Sequence, residues 1–326
     1  MSDPRKIVAY SDLLGFSELV VKDRAAATQL LSDFYNLAQR TKADTRFQDL
    51  ELFLFSDFLF VQGSAVEEVA NYMCILYRKA LRYTDRSPAA MLIRGGIARG
   101  GVFSQERHEA PNVTKNFIVS SALTHAVKME SLVKGQRLLI SAKEREEIDH
   151  FYNAQINAVC YDQPSLKPSK LFKKYRYQDL LWARDISLAR AAAREEATEC
   201  IRIASQLFRN NFGNKSIVLH YAETLRITLL SYSGLLEPTD VDQGFVAEFV
   251  SDTLLPFPNS TVWLGFLESV LMAPEGRAFY LNQGLMAFLR QAILINQWGE
   301  VSAALQQPEH AQLLERVQEF VSLAID

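Results

Sequence analysis

The sequence predicts an α+β domain over residues 1–185 followed by an all-helical region over residues 186–326. Up to Ala183, short aromatic-rich strand patterns are interleaved with helical ones, and after Asp185 the periodicity is helical throughout. The length of 326 residues also exceeds the roughly 250 that one hydrophobic core usually supports. The boundary near Asp185 is a change of pattern with no flexible linker composition.

Lys6–Ser11 is predicted as a short apolar strand, and Gly15 turns the chain into a helical segment reaching about Lys42. Leu50–Gly63 holds two aromatic-rich strands folded about Ser56-Asp57, a hairpin signal. A helix is expected over Ala65–Arg86. Met91–Phe103 follows as a strand pair punctuated by Gly95, Gly96, Gly100 and Gly101, and the polar residues 104–115 are expected to form a loop. Ser120–Lys134 is predicted helical, Arg137–Ser141 a strand, and Tyr175–Ala183 the last strand. Helical periodicity then covers Ile186–Arg209, Ser216–Ser231 and Asp242–Leu255, with breaks at Pro256-Phe257-Pro258-Asn259 and at Pro274-Glu275-Gly276. Pro308-Glu309 suits the opening of the last helix, where proline's missing amide proton costs nothing. There is no internal repeat and no low-complexity tract.

The composition excludes several classes. Apolar residues make up 48% and charged ones 22%, ordinary values for a globular protein and wrong for a disordered one. No stretch approaches the roughly 18 uninterrupted apolar residues of a membrane span. Met1–Lys6 lacks a signal peptide's apolar core. Cys74, Cys160 and Cys200 are too few and too scattered for a disulfide framework or a zinc site, so the expected location is the reducing cytoplasm. The net charge of −3 is uneven: residues 1–185 carry 26 Lys and Arg against 22 Asp and Glu, and residues 186–326 carry 9 against 16. The first part can attract an anionic ligand, but neither has the basic excess of a nucleic-acid surface, and no membrane partner is expected.

Four segments carry candidate chemistry. In Tyr10-Ser11-Asp12-Leu13-Leu14-Gly15-Phe16-Ser17 a carboxylate ends a strand, a glycine turns the chain and a helix begins, which would aim backbone amides at a spot beside Asp12. A metal-bound polyphosphate would suit that arrangement; a plain helix cap is the alternative. Asp57 is a charge among strongly apolar neighbours, either a turn former or a partner for Asp12. If the hairpin lies beside the first strand, the two carboxylates face each other and repel unless a cation lies between them, a hard ion such as Mg²⁺ or Mn²⁺. In Leu92–Val102 the glycines mark close approach of another backbone or of a ligand. In Ser120–Leu132, small residues at four-residue spacing mark helix packing or part of a site.

In series, these segments resemble the class III nucleotidyl cyclases. The matching motifs are Asp12-Leu13-Leu14-Gly15-Phe16, Phe55-Ser56-Asp57, Arg94-Gly95-Gly96-Ile97-Ala98-Arg99-Gly100 and Ala126-Val127-Lys128-Met129-Glu130, in the family's order from residue 6 to about 180. The resemblance implies a ferredoxin-like cyclase domain working as a head-to-tail homodimer with composite sites. Both aspartates would come from one protomer and the transition-state groups from the other. It implies that Asp12, Asp57 and the Leu13 carbonyl hold two divalent ions, Mg²⁺ or Mn²⁺, while the amides of Leu14, Gly15 and Phe16 cradle the phosphates of a nucleoside triphosphate.

The sequence also departs from the family. Ser56 replaces the glycine before the second aspartate. The two positions that normally read a purine base fall at Phe53 and Phe117, with Tyr10 or Arg99 near enough to read a smaller base edge. The transition-state Asn and Arg fall at Thr124 and Lys128, and Lys lacks the bidentate geometry of Arg. A phosphate-binding lysine would be one of Lys167, Lys170, Lys173 and Lys174. These departures look like the bacterial cyclases of the Pycsar antiphage systems, which make cyclic UMP or cyclic CMP; the resemblance implies UTP as substrate, with CTP its rival, and an effector that binds the cyclic nucleotide. The alternatives are an adenylate or guanylate cyclase with an unusual base pocket and a catalytically silent nucleotide-sensing module. The helical residues 186–326 would regulate the enzyme or stabilise its dimer.

Overall fold

The computed structural model describes residues 5–84, 89–110, 113–131, 134–141, 161–162, 177–185, 188–211 and 217–233, with isolated positions outside these segments. The helix expected over Asp242–Leu255, the breaks after it and Lys167, Lys170, Lys173 and Lys174 lie outside the described residues, as does most of the last helix. The chain divides into two compact units. One comprises Met1–Val133, Arg137–Ile156 and Lys170–Leu180; the other comprises Lys134–Gln136, Asn157–Ser169 and Leu181–Asp326.

The first unit is α+β, as the sequence predicts. It begins with strand β1 (Arg5–Leu13), helices α1 (Phe16–Lys22) and α2 (Arg24–Lys42), and the hairpin of β2 (Glu51–Phe55) and β3 (Phe58–Gly63). Helix α3 (Val66–Thr84), strands β4 (Ile93–Ala110) and β5 (Val113–Ser120), helix α4 (Ser121–Ser131) and strand β6 (Leu138–Ser141) follow. The short β7 (Tyr161–Asp162) belongs to the second unit, and β8 (Tyr177–Asp179) returns to the first. The sheet of the first unit runs β2-β3-β1-β4-β6-β8. Its neighbours are antiparallel except for the parallel pair β4 and β6.

Alternation along β1 decides what each sheet face does. Ile7, Ala9, Ser11 and Leu13 are buried, and the Ser11 hydroxyl lies 2.9 Å from the Tyr77 hydroxyl of α3. Val8, Tyr10 and Asp12 point to the opposite face, where Val8 packs with Phe60, Val102 and Ala122 of α4. The central residue of a three-stranded strip, Asp12, is thus a polar residue on the α4 side of the sheet.

Two expectations are corrected. The helical segment after Gly15 is two helices, because Asp23 is extended (φ −151°) and its carboxylate accepts from the Ala26 amide at 3.0 Å, capping α2. Met91–Phe103 is not a strand pair, nor are residues 104–115 a loop: β4 runs unbroken to Ala110 and pairs with β5. A two-stranded ribbon off the main sheet needs no apolar face, so its polar composition imitates a loop.

In the second unit, α5 (Arg190–Asn210) buries Ala193, Ala197, Cys200, Ile201, Ala204 and Phe208, one stripe at helical spacing. Helix α6 (Val218–Ser233) supplies the His220 ring nitrogen and the Thr224 hydroxyl, which accept from the amides of Gly135 and Gln136 at 3.1 and 2.9 Å. Among the described residues, no helix is long and apolar enough to cross a membrane.

Candidate functional site

The antiparallel pairing of β1 with β3 sets Asp12 opposite Phe58, and the Leu13 amide donates to the Asp57 carbonyl at 2.9 Å. The tip of the hairpin is thereby tied to the end of β1, which brings the Asp12 and Asp57 carboxylates into one electrostatic neighbourhood. Ser56, the first of the two loop residues, has φ +50°, the geometry in which a two-residue hairpin usually carries glycine. The Tyr35 hydroxyl of α2 donates to the Ser56 carbonyl at 3.0 Å and holds the turn in place.

Asp12 is half-buried. Burial, then the negative charges of Asp57 and Glu130, push its carboxyl up to about 7, while the Arg94 guanidinium and the Leu13 amide pull the other way. Arg94 sits directly across the sheet from Asp12 and forms an ion pair with Glu130 of α4. Burial also raises the Glu130 carboxyl, against the opposing pull of Arg94. The Tyr10 hydroxyl is raised as well, first by burial and then by Asp12. Two further carboxylates, Asp57 and Glu130, and the Arg94 guanidinium thus act on Asp12 together, an excess of negative charge that a cation relieves. Arg94 and Glu130 have no site role assigned from the sequence; the available signal was their place inside two of the four motifs, beside glycines in one and on the buried stripe of α4 in the other.

The donor set fits a hard divalent ion. Two carboxylates beside the main-chain carbonyl of Leu13 supply only oxygen, which suits Mg²⁺ or Mn²⁺ completing its shell with water and substrate oxygens. Among the described residues there is no group of three or more His, Cys, Asp or Glu side chains placed to hold a metal by themselves.

The other expected residues are distributed unevenly. Gly15 is exposed and left-handed (φ +73°) at the start of α1, and Phe16 follows it half-buried. The Leu14 amide, expected to face a phosphate, donates instead to the Leu92 carbonyl at 2.9 Å, because β1 is still pairing with β4 at that point. Phe53 lies opposite Phe60 with ring centroids 5.1 Å apart and packs against the cluster of Val8, Phe60, Val102 and Ala122. Phe117 lies on β5 opposite Gln105. Arg99 does not join the carboxylates: it pairs with Ile7 in the sheet, five residues along β4 from Arg94 and so about 17 Å away, and forms an ion pair with Glu147.

Helix α4 lies along β4 because glycines admit it. A Cβ on Gly96 would stand 2.6 Å from the Met129 Cβ, and one on Gly100 would stand 2.4 Å from the Ser121 hydroxyl. At these two positions the glycine-rich strand serves backbone packing. With Ala122, Ala126, Met129 and Glu130 buried against the sheet, Thr124 is exposed and Lys128 half-buried on the other side of the helix. The Thr124 hydroxyl donates to the Ser120 carbonyl at 3.0 Å. The two expected transition-state residues thus stand on a face of α4 turned away from Asp12 of the same chain.

No protein-family model matches the chain, and no curated protein matches it. Its fold is similar to that of solved cyclases. The guanylyl cyclase Cya2 is 13% identical, with 56% of this chain and 94% of that one covered and a TM-score of 0.45. The adenylyl cyclase CyaB from P. aeruginosa is 19% identical over 54% of this chain and 93% of that one, with a TM-score of 0.41. Adenylate cyclases from Trypanosoma brucei in their monomeric state are 12% identical over 56% and 93%, with a TM-score of 0.43.

Proposed function

We propose that the chain is a nucleotidyl cyclase of the class III type, most like the Pycsar pyrimidine cyclases. It would convert UTP to 3′,5′-cyclic UMP and pyrophosphate as the signal producer of an antiphage response, read by an effector that binds the cyclic nucleotide. One observation carries this function: Asp12 and Asp57, 45 residues apart in sequence, meet at the end of β1 with a surplus of negative charge.

Asp12, Asp57 and the Leu13 carbonyl would hold two divalent ions. When bound, such ions lower the pKa of the ribose 3′-hydroxyl and neutralise the departing pyrophosphate. The chain's own groups position the substrate. Gly15 and Phe16 offer amides to phosphate oxygens at the turn after β1, with the Leu14 amide holding that turn to the sheet. Phe53 and Phe60 form an apolar wall on the same face as Tyr10, where a purine reader would need polar side chains; the narrowed space favours a pyrimidine. Phe117, the other inherited base-reading position, likewise has no polar group to offer a purine edge. Thr124 and Lys128 would serve the site of a second protomer, which agrees with their position on the outer face of α4. Residues 1–185 are then the catalytic domain, and residues 186–326 regulate it or stabilise the dimer.

The test is incubation of the purified protein with each of the four nucleoside triphosphates and Mn²⁺, with cyclic products separated by chromatography. Cyclic UMP should dominate and cyclic CMP should rank next, and Asp57→Ala should make neither. Cyclic AMP or cyclic GMP alone would overturn the pyrimidine assignment. No cyclic product from any triphosphate would sink the catalytic assignment in favour of a silent nucleotide sensor.

A further inference from the structure

Between α4 and β6, both of the first unit, the chain passes through Lys134–Gln136, three residues that belong to the second unit. Gly135 and Gln136 are buried, and their main-chain groups are taken by residues of that unit. The Gly135 amide donates to His220 Nδ1 at 3.1 Å, and the Gln136 amide donates to the Thr224 hydroxyl at 2.9 Å. The Gln136 carbonyl accepts from the Trp182 indole at 3.0 Å. His220 and Thr224 stand four residues apart on one face of α6, so a single helix supplies both acceptors.

The hold is close and directional. Gly135 is left-handed (φ +73°), and a Cβ there would stand 2.5 Å from the His220 carbonyl oxygen and 2.9 Å from the Thr224 nitrogen, so the chain meets α6 at backbone contact. The Thr224 hydroxyl donates to the His220 carbonyl at 2.8 Å, which leaves its lone pairs for the Gln136 amide. Without these acceptors two buried amide protons lose their partners, a cost the segment escapes only by moving. The chain on either side leads into the candidate site. Four residues before Gly135 lies Ser131, the last residue of α4, with Glu130 next to it. One residue after Gln136, the Arg137 carbonyl accepts from the Gly95 amide at 2.9 Å, beside the Arg94 that pairs with Glu130. Four residues span at most about 14 Å, which leaves little slack between Gly135 and the end of α4.

We propose that His220 and Thr224 are positioning residues: by fixing Gly135 and Gln136 they set where α4 ends, and with it Glu130 and the face that carries Thr124 and Lys128. The helical region thereby acquires a part in the geometry of the site. The effect on turnover rests on the cyclase reading; the fixing of α4 does not.

The test is hydrogen exchange, read by mass spectrometry, on the full chain and its Thr224→Val, Thr224→Ser and His220→Ala variants. Thr224→Val keeps the shape of the side chain and removes the acceptor. It should speed exchange in α4 and at residues 135–136 by about tenfold or more, with α3 exchanging as in the parent. Thr224→Ser keeps the hydroxyl and should exchange like the parent. His220→Ala removes the other acceptor at a half-buried position, so it decides the matter if Thr224→Val fails to fold, which the thermal transition checks. In the cyclisation assay, kcat of the Val and Ala variants should fall by about tenfold and KM should stay within about twofold, because the phosphates are held at Asp12, Asp57 and the turn at Gly15. Faster exchange confined to α6 and residues 135–136, equal acceleration that includes α3, or an unchanged kcat in a folded Thr224→Val protein would each overturn the proposal. A parent that makes no cyclic product overturns the cyclase reading instead, and exchange in α4 then judges the positioning role by itself.

Discussion

Gly96→Ala should destabilise the first unit and disturb its chemistry together. The added methyl would stand 2.6 Å from the Met129 Cβ and 2.9 Å from the Ala126 carbonyl. Carbon contacts normally sit at about 3.5–4.0 Å, so close to 1 Å of relief is needed. Neither atom is the free end of a flexible side chain, so α4 itself has to move. Overpacking of this kind costs about 1–3 kcal/mol, and loss of glycine's freedom in the unfolded chain returns about 0.4–1 kcal/mol, leaving a net loss of about 1–2 kcal/mol. Urea unfolding of the metal-free protein, followed by far-UV circular dichroism, reads this as a lower midpoint. Because α4 carries Thr124 and Lys128, a displacement near 1 Å should also cut turnover on the order of a hundredfold. Gly15→Ala is the contrast: no atom lies within 4 Å of its Cβ, but φ is +73°, so about 1–2 kcal/mol is lost through backbone geometry alone. A Gly96→Ala protein as stable as the parent would refute the packing of α4 against β4.

Three further outcomes follow from the site. Asp12 has a folded-state carboxyl raised to about 7 against about 4 unfolded, so between those values the folded state binds more protons; stability of the metal-free protein should fall as pH rises through that window. Asp57→Asn should flatten this fall in thermal melts, and Mg²⁺ should reverse it in the parent. Ser56→Gly relieves a positive φ on a residue with a Cβ and should stabilise the protein by about 1 kcal/mol in urea unfolding with activity retained; a loss of stability would mean the turn is not left-handed at Ser56. Mixing Asp57→Ala with Lys128→Ala chains should restore one intact site per heterodimer, and no recovery with heterodimers verified would refute the shared site.

What the sequence determined by itself was the set of parts. Apolar alternation and turn chemistry are local, so β1, the hairpin around Ser56-Asp57, α3 and α4 were legible from residues a few positions apart. Asp12 and Asp57 stood out because each is a charge in an apolar run. The sequence could not show that β4 continues through polar residues to Ala110, since a ribbon is held by backbone pairing with β5 and leaves side-chain composition free. It also could not separate ligand from packing at Gly96 and Gly100, where the deciding neighbours, Met129 and Ser121, are more than twenty residues away. Tertiary structure alone set Arg94 and Glu130 beside Asp12, kept Arg99 away from it and engaged the Leu14 amide with Leu92. Each of these depends on strand register, which shifts a side chain by 3.3–3.4 Å per residue and reverses its face at each step, and register is a property of two strands together rather than of either sequence.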